Sequence, residues 1–311
     1  MSDGSTRTAG DVAMALVGAV LQAWRDAGRA ERVAYATGTL LMASGLFHLG
    51  VFAVDGGPWS GPVSWRKPAT FGLSFGLTAV TLTYVSTKVR LSRRGRSVLL
   101  WALSLATIVE VGLVTMQRWR GVPSHFNGTT AFDGAVFAAM GLSVAVIVAV
   151  ILALTVQALR APAADRTTAL AIRVGLLLLV GAQVIGGAMI AQGLGADPPE
   201  SYAAGGALKT AHAAAMHGVQ VLPGLSWLAA MGVRSPARRH GLIRLGVLGY
   251  VAIAAVALYE VTAAAPPSAV GLPSSVLLVA GLTALLAAFG IALAETFRST
   301  TDRSGVRPAR R

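Results

Sequence analysis

The chain of 311 residues contains no cysteine. That absence rules out disulfides, thiolate metal sites, iron–sulfur clusters and cysteine nucleophiles. Charge is scarce as well: Asp, Glu, Lys and Arg together make up 13% of the residues. A soluble domain carries about 25%. Acidic side chains are the rarer sign, 13 against 26 basic ones. Also missing are a phosphate-binding loop, a Rossmann fingerprint and an Asp-rich diphosphate motif, which counts against nucleotide-driven transport and prenyl transfer. No H-E-x-x-H pairing occurs, and His212 and His217 are five apart, about 140° around a helix, rather than the four that such a metal site needs.

Apolar residues fill the space that charge leaves. They make up 54% of the chain, and the mean hydropathy is +0.65. A water-soluble fold of this size could not hide so much apolar surface. The expected fold is therefore all-α, a polytopic membrane helical bundle. A spanning helix needs roughly 20 mostly apolar residues, and eight segments qualify: 33–54, 69–87, 97–117, 133–158, 170–193, 206–230, 242–263 and 272–296. They form one transmembrane domain over 32–297 with short loops. Residues 1–31 form an N-terminal tail. Its apolar run 12–21 is too short to cross, is followed by Arg25, Arg29 and Arg32, and reads as an amphipathic helix on the membrane surface. Residues 298–311 form a basic C-terminal tail.

The basic residues sort by side. Both tails and the loops after the second, fourth and sixth segments, counted with the segment ends that flank them, hold 21 Lys plus Arg, and the other loops with their flanking ends hold 5. The positive-inside rule then places both termini in the cytoplasm. This distribution explains the net charge of +13 without nucleic acid; the partner it implies is the anionic lipid bilayer. The dominance of Arg (23, against 3 Lys) in an Ala-, Gly- and Val-rich chain suggests a high-GC bacterium and hence its cytoplasmic (inner) membrane.

Polar residues within spans are costly and mark sites. Thr37, Ser44, His48 and Asp55 share one stripe of the first span. Lys67, Thr70, Ser74, Thr78 and Thr81 share one in the second, Thr107, Glu110 and Gln117 one in the third, and Lys209, His212, Met216 and Gln220 one in the sixth. These stripes are expected to face one another in the outer half of the bilayer. The outer loops add Arg66, Arg118, Arg120, Ser124, His125, Asn127 and Asp133. Gly72 and Gly76 form a small-xxx-small pair that reads as a packing face.

These parts suggest a membrane-embedded enzyme acting on a hydrophobic, lipid-like or isoprenoid small molecule by acid–base chemistry, of the cyclase or isomerase type. Glu110, His48, His212 and Asp133 are the candidate catalytic residues. A carboxyl far from water is costly to ionise, which suits Glu110 to giving a proton. Arg66, Lys67, Gln117, Arg118, Arg120, His125, Asn127 and His217 are candidates for substrate binding. Phe71, Phe126 and Phe137 could stabilise a developing cation. No cofactor or metal is expected in this reading. Two alternatives stand beside it: a proton-coupled transporter or lipid translocator, and a haem or metal protein with His48 and one span-six His as ligands. Ser124, His125 and Asp133 also supply the letters of a hydrolase triad, but adjacent residues rarely hold that geometry.

Overall fold

The computed structural model describes residues 8–194, 206, 208–263 and 271–298. Apart from one isolated antiparallel bridge, Val89 to Pro162, the regular structure among these residues is helical. In chain order the helices are α1 (Ala9–Asp26), α2 (Arg29–Asp55), α3 (Arg66–Thr87), α4 (Arg93–Trp119), α5 (Ala131–Arg160), α6 (Arg166–Gly193), α7 (Lys209–Met216), α8 (Gly218–Gly232), α9 (Pro236–Thr262) and α10 (Leu272–Arg298). Most of the C-terminal tail, 299–311, lies outside the described residues, as do 195–205 and 264–270.

The helices outrun the apolar segments because several begin on polar caps beyond them. Ser92, Thr130 and Ser235 each accept a bond from a backbone N–H in the first turn of α4, α5 and α9, and Asp165 accepts two in α6. Seven of the helices are long and apolar enough to cross a bilayer: α2 to α6, α9 and α10. Their outward faces agree with a lipid solvent. Leu40, Leu142, Val184, Leu248 and Leu286 are each between 66% and 70% exposed, a surface no aqueous monomer of this kind could keep.

The segment expected as a single sixth span is two helices, α7 and α8, meeting at His217. The break is met from α9, where the Tyr250 hydroxyl enters the backbone ladder and donates to the Ala214 carbonyl at 2.7 Å. Laid end to end, Lys209 to Gly232 would reach about 36 Å at 1.5 Å per residue, enough to cross.

The bundle has two halves. One comprises α2 to α5 and the other α6 to α10, and they meet through α5 against α6 and α3 against α8. The tightest seam, α2 against α3, is set by glycine. A Cβ on Gly38 would lie 2.6 Å from the Gly76 carbonyl oxygen, and one on Gly72 would lie 2.7 Å from that of Leu41. The small-xxx-small pair is thus a packing face. Helix α1 turns back at Ala27 and Gly28, where the Arg32 guanidinium donates to the Trp24 and Arg25 carbonyls at 3.3 and 3.0 Å.

Candidate functional site

The polar residues gather where α2 ends, α3 begins, and the loop 120–130 joins α4 to α5. They form several networks rather than one open stripe-lined space.

The first surrounds His48, which is 3% exposed. Its Nδ1 lies 2.7 Å from the Ser44 carbonyl oxygen, which can only accept, so Nδ1 carries the proton. Nε2 then accepts from the Trp119 indole N–H at 3.2 Å. Trp65 stacks beside this ring, with centroids 6.1 Å apart, and donates to Asp55 at 2.5 Å. Arg118 lies 3.7 Å over the Trp65 ring and 3.9 Å from Asp55.

The second network locks α4 to α5. Asp133, 2% exposed, accepts from Gln117 at 2.9 Å, Arg120 at 2.6 Å and Thr130 at 2.7 Å. Arg120 also donates to Gln117 Oε1. Thr130 caps α5 by accepting from the Asp133 N–H, so one carboxylate fixes a helix start and a loop together.

The third network runs from α3 into the loop. Lys67 Nζ donates to Ser124 Oγ at 3.3 Å, and Ser124 Oγ lies 2.9 Å from His125 Nδ1. Ser124 has no other acceptor among the described residues, so its hydrogen goes to His125. His125 is partly open by area, but its ring is enclosed by Phe71, Phe126 and Phe137, at centroid distances of 5.5, 6.5 and 6.3 Å. Burial, helped by the nearby Lys67 charge, holds its pKa down to about 3, so the ring is neutral. Such a weak base does not suit a hydrolase, and the Asp133 oxygens are engaged elsewhere; the three letters of the triad do not assemble. Asn127 staples the loop, donating to the Pro123 carbonyl at 3.0 Å and accepting from Thr129. Phe126 is held at φ 55°, a left-handed conformation rare outside glycine, with its ring against Gly193 of α6.

Glu110 lies deeper, 1% exposed, and faces α5 rather than α2. It accepts from the Ser143 hydroxyl at 2.6 Å, and no ion pair to it is found among the described residues. Between this pair and the Gln117–Asp133 rung lies an apolar cluster of Val114, Val136 and Met140, with Phe71 and Phe137 packed on it. One end of that cluster therefore meets a buried carboxyl and the other a neutral imidazole.

The second half of the bundle contributes less. His212 donates from Nδ1 to the Ala182 carbonyl of α6 at 2.8 Å, and His217 sits at the α7–α8 break. Gln220 meets the Thr78 hydroxyl of α3 at 3.1 Å. Arg66 donates to the Trp59 carbonyl at 3.2 Å, and its charge, with that of Lys209, lies close to Lys67. The expected catalytic set of Glu110, His48, His212 and Asp133 is thus spread over four networks. The expected binding residues Lys67 and His125 do meet, as do Gln117 and Arg120, while Arg118 joins His48's aromatic surround.

A haem ligated through His48 would have to displace Trp119, since both ring nitrogens are already bonded. No cluster of three or more potential metal ligands is found among the described residues. Ser143 escaped the sequence reading, although a serine inside a long apolar helix is itself a signal. Compared with protein-family models, curated proteins and solved structures, the chain matches none.

Proposed function

We propose that this multi-pass membrane protein is an enzyme of the cyclase or isomerase type, acting on a lipid-like or isoprenoid molecule in the outer half of a bacterial inner membrane, with both termini cytoplasmic. The observation that carries this reading is the apolar cluster of Phe71, Val114, Val136, Phe137 and Met140, with the Glu110–Ser143 pair at one end and His125 at the other. Glu110 gives its proton to an alkene carbon of the substrate, whose π pair forms the new C–H bond. The faces of Phe71 and Phe137 stabilise the resulting cation. Loss of a proton from a neighbouring carbon to the Glu110 carboxylate, directly or after ring closure, restores both partners. No oxidant or co-reactant is needed. Ser143 orients the carboxyl and His125 closes the loop end of the site.

The test is deuterium. Membranes carrying the protein, supplied with polyprenyl and acyl lipids in D₂O, are expected to accumulate carbon-bound deuterium in a lipid product. Glu110→Gln keeps the size and the Ser143 bond but removes the transferable proton, and should lower that incorporation by roughly 10²-fold or more, the scale of general-acid catalysis. Equal incorporation by both proteins would overturn the mechanism.

One observation favours a transporter instead. The sixth span is broken at His217, and broken spans often line cargo paths. That reading predicts proton flux into proteoliposomes with no deuterium in lipid carbon.

A further inference from the structure

A cavity of about 400 Å³ lies far from the polar loops, among α1, α2, α3 and α8 at the seam between the two halves. Its size falls within the range of about 300–1,000 Å³ typical of ligand sites. The lining is mostly apolar, including Ala19, Ala23, Met42, Val80 and Pro223. Four polar groups stand out in it: the indoles of Trp24 and Trp227 and the phenols of Tyr35 and Tyr84. None of the four makes a side-chain hydrogen bond to the described residues; Trp24 is 44% exposed and Tyr35, Tyr84 and Trp227 are half-buried, so their donors are open to a molecule entering from the bilayer.

Their placement is ordered. Tyr35 lies one turn and a half into α2, Tyr84 in the last turn of α3, Trp227 near the end of α8 and Trp24 near the end of α1. Met42 and Gln220 lie seven residues further in along α2 and α8, about 10 Å deeper. The phenol and indole donors thus ring one end, and the other is lined by Met42, Val80 and Pro223 with the Gln220 amide among them. Helix α1 forms one wall. It turns back at Ala27–Gly28, is tied there by Arg32, and has only Val12 buried. Its Met14 and Val17 are 71% and 52% exposed, so its outer face meets lipid.

We propose that this cavity binds the acyl chain of a membrane lipid, with the chain's carbonyl or carboxylate head accepting from Trp24, Tyr35, Tyr84 and Trp227, and with α1 as the wall that swings at 27–28 to admit it. Three points select this occupant. The surroundings of the opening are the bilayer itself. The phenols and indoles at one end can all donate, which selects an oxygen acceptor. The rest of the lining is mostly apolar and small, with Gln220, Thr39 and Thr81 the polar exceptions, which suits a single flexible chain. The site is separate from the Glu110 cluster and stands whether or not that cluster is catalytic.

Gly224 makes the test clean. It lines the cavity, and a Cβ built there meets no atom within 4 Å. Gly224→Phe should therefore fill the space without disturbing packing, and removing a helical glycine favours the helix. The full-length protein in liposomes is irradiated with a diazirine-bearing free fatty acid, or with a phospholipid carrying the same chain. Peptides of α1 and α8 are expected to be labelled at least tenfold above lipid-facing positions such as Leu142 and Leu286. Gly224→Phe should abolish that excess with its melting temperature unchanged or raised. Tyr35→Phe combined with Tyr84→Phe should cut it several-fold without filling the cavity. Excess labelling by the fatty acid alone identifies a free carboxylate as the head group, and excess labelling by the phospholipid an ester. Labelling no greater than at Leu142 with both probes, or labelling that survives Gly224→Phe, would overturn the proposal.

Discussion

The two halves of the bundle bury different chemistry. Among the described residues, α2 to α5 and their loops bury His48, Lys67, Glu110 and Asp133, together with the amides of Gln117 and Asn127. In α6 to α10 the buried polar side chains are Thr167, Ser226, Ser274 and Thr296, hydroxyls only, besides the phenol of Tyr250. The second half does carry ionisable residues, Lys209, His212 and Glu260 among them. Yet Lys209, His212 and Glu260 are all only half-buried. Hydroxyls can bond back to their own helix, as Thr296 does to the Ala292 carbonyl, and ask little of their neighbours. Ionisable groups need partners from other elements. The first half therefore has to be assembled around its polar groups, whereas the second is packed around side-chain shape, as where Gly249 and Gly281 each approach the other's carbonyl.

The comparison breaks most readily at Asp133. Asp133→Ala removes the acceptor shared by Gln117, Arg120 and Thr130 and half of the α5 cap. Arg120 is partly in solvent, but the carboxylate serves three donors from α4, its loop and the α5 cap, so the loss should exceed that of a surface ion pair. Among the described residues Glu295 pairs with the exposed Arg238, and the corresponding change in the second half, Glu295→Ala, should cost less than about 1 kcal/mol. Unfolding in mixed micelles measures both. Equal losses would mean that the first half is no more dependent on its polar groups than the second.

A smaller contrast uses single hydrogen bonds. Trp119→Phe keeps the ring but leaves Nε2 of the buried His48 without a donor, a loss of about 1–3 kcal/mol. Ser226→Ala removes a hydroxyl 3.0 Å from that of Thr168, which keeps its bond to Asp165 at 2.7 Å. That change should cost less than about 1 kcal/mol. The same unfolding assay checks the ordering.

Much of the fold is legible from hydropathy alone, because a span needs only length and apolarity. Seven of the eight expected segments coincide with long helices, and their ends are set by caps such as Ser92 and Thr130 that are themselves visible in sequence. The break at His217 is not visible in that way: it is met by a hydroxyl from α9, a contact that no local pattern encodes. The site was half legible. Periodicity puts Glu110 and Gln117 on one face of α4, but a stripe does not say which neighbour it meets, and this one meets α5 through Ser143 and Asp133. His48 sits on its expected face but is met by Trp119, an indole from the end of α4 that no periodicity within α2 points to. The acyl cavity was out of reach, since it exists only because α1 folds back over α2, α3 and α8.

The last expected effect is one of pH, slight between pH 7 and 6, and in the first half it starts from His125. His125 is enclosed by three phenylalanines beside the Lys67 charge, and its pKa falls from an ordinary 6.5 to about 3. An unfolded chain would protonate this ring at about pH 6.5, while the folded one keeps it neutral. The unfolded state therefore binds the extra proton between those values, and stability must fall as pH falls. The contribution is complete above pH 6.5 and erodes progressively toward pH 3. Only the first part of that erosion is reached between pH 7 and 6, so the melting temperature should drop slightly over that unit and more steeply below it. His125→Phe places a fourth ring in the same nest and removes the titration, at the cost of the Ser124 bond. Its melting temperature should start lower at pH 8 but decline less on acidification. The difference between the two curves isolates His125 from the other histidines. Parallel curves for the two proteins from pH 8 to pH 5 would mean that water reaches this ring and that the loop 120–130 does not seal the site.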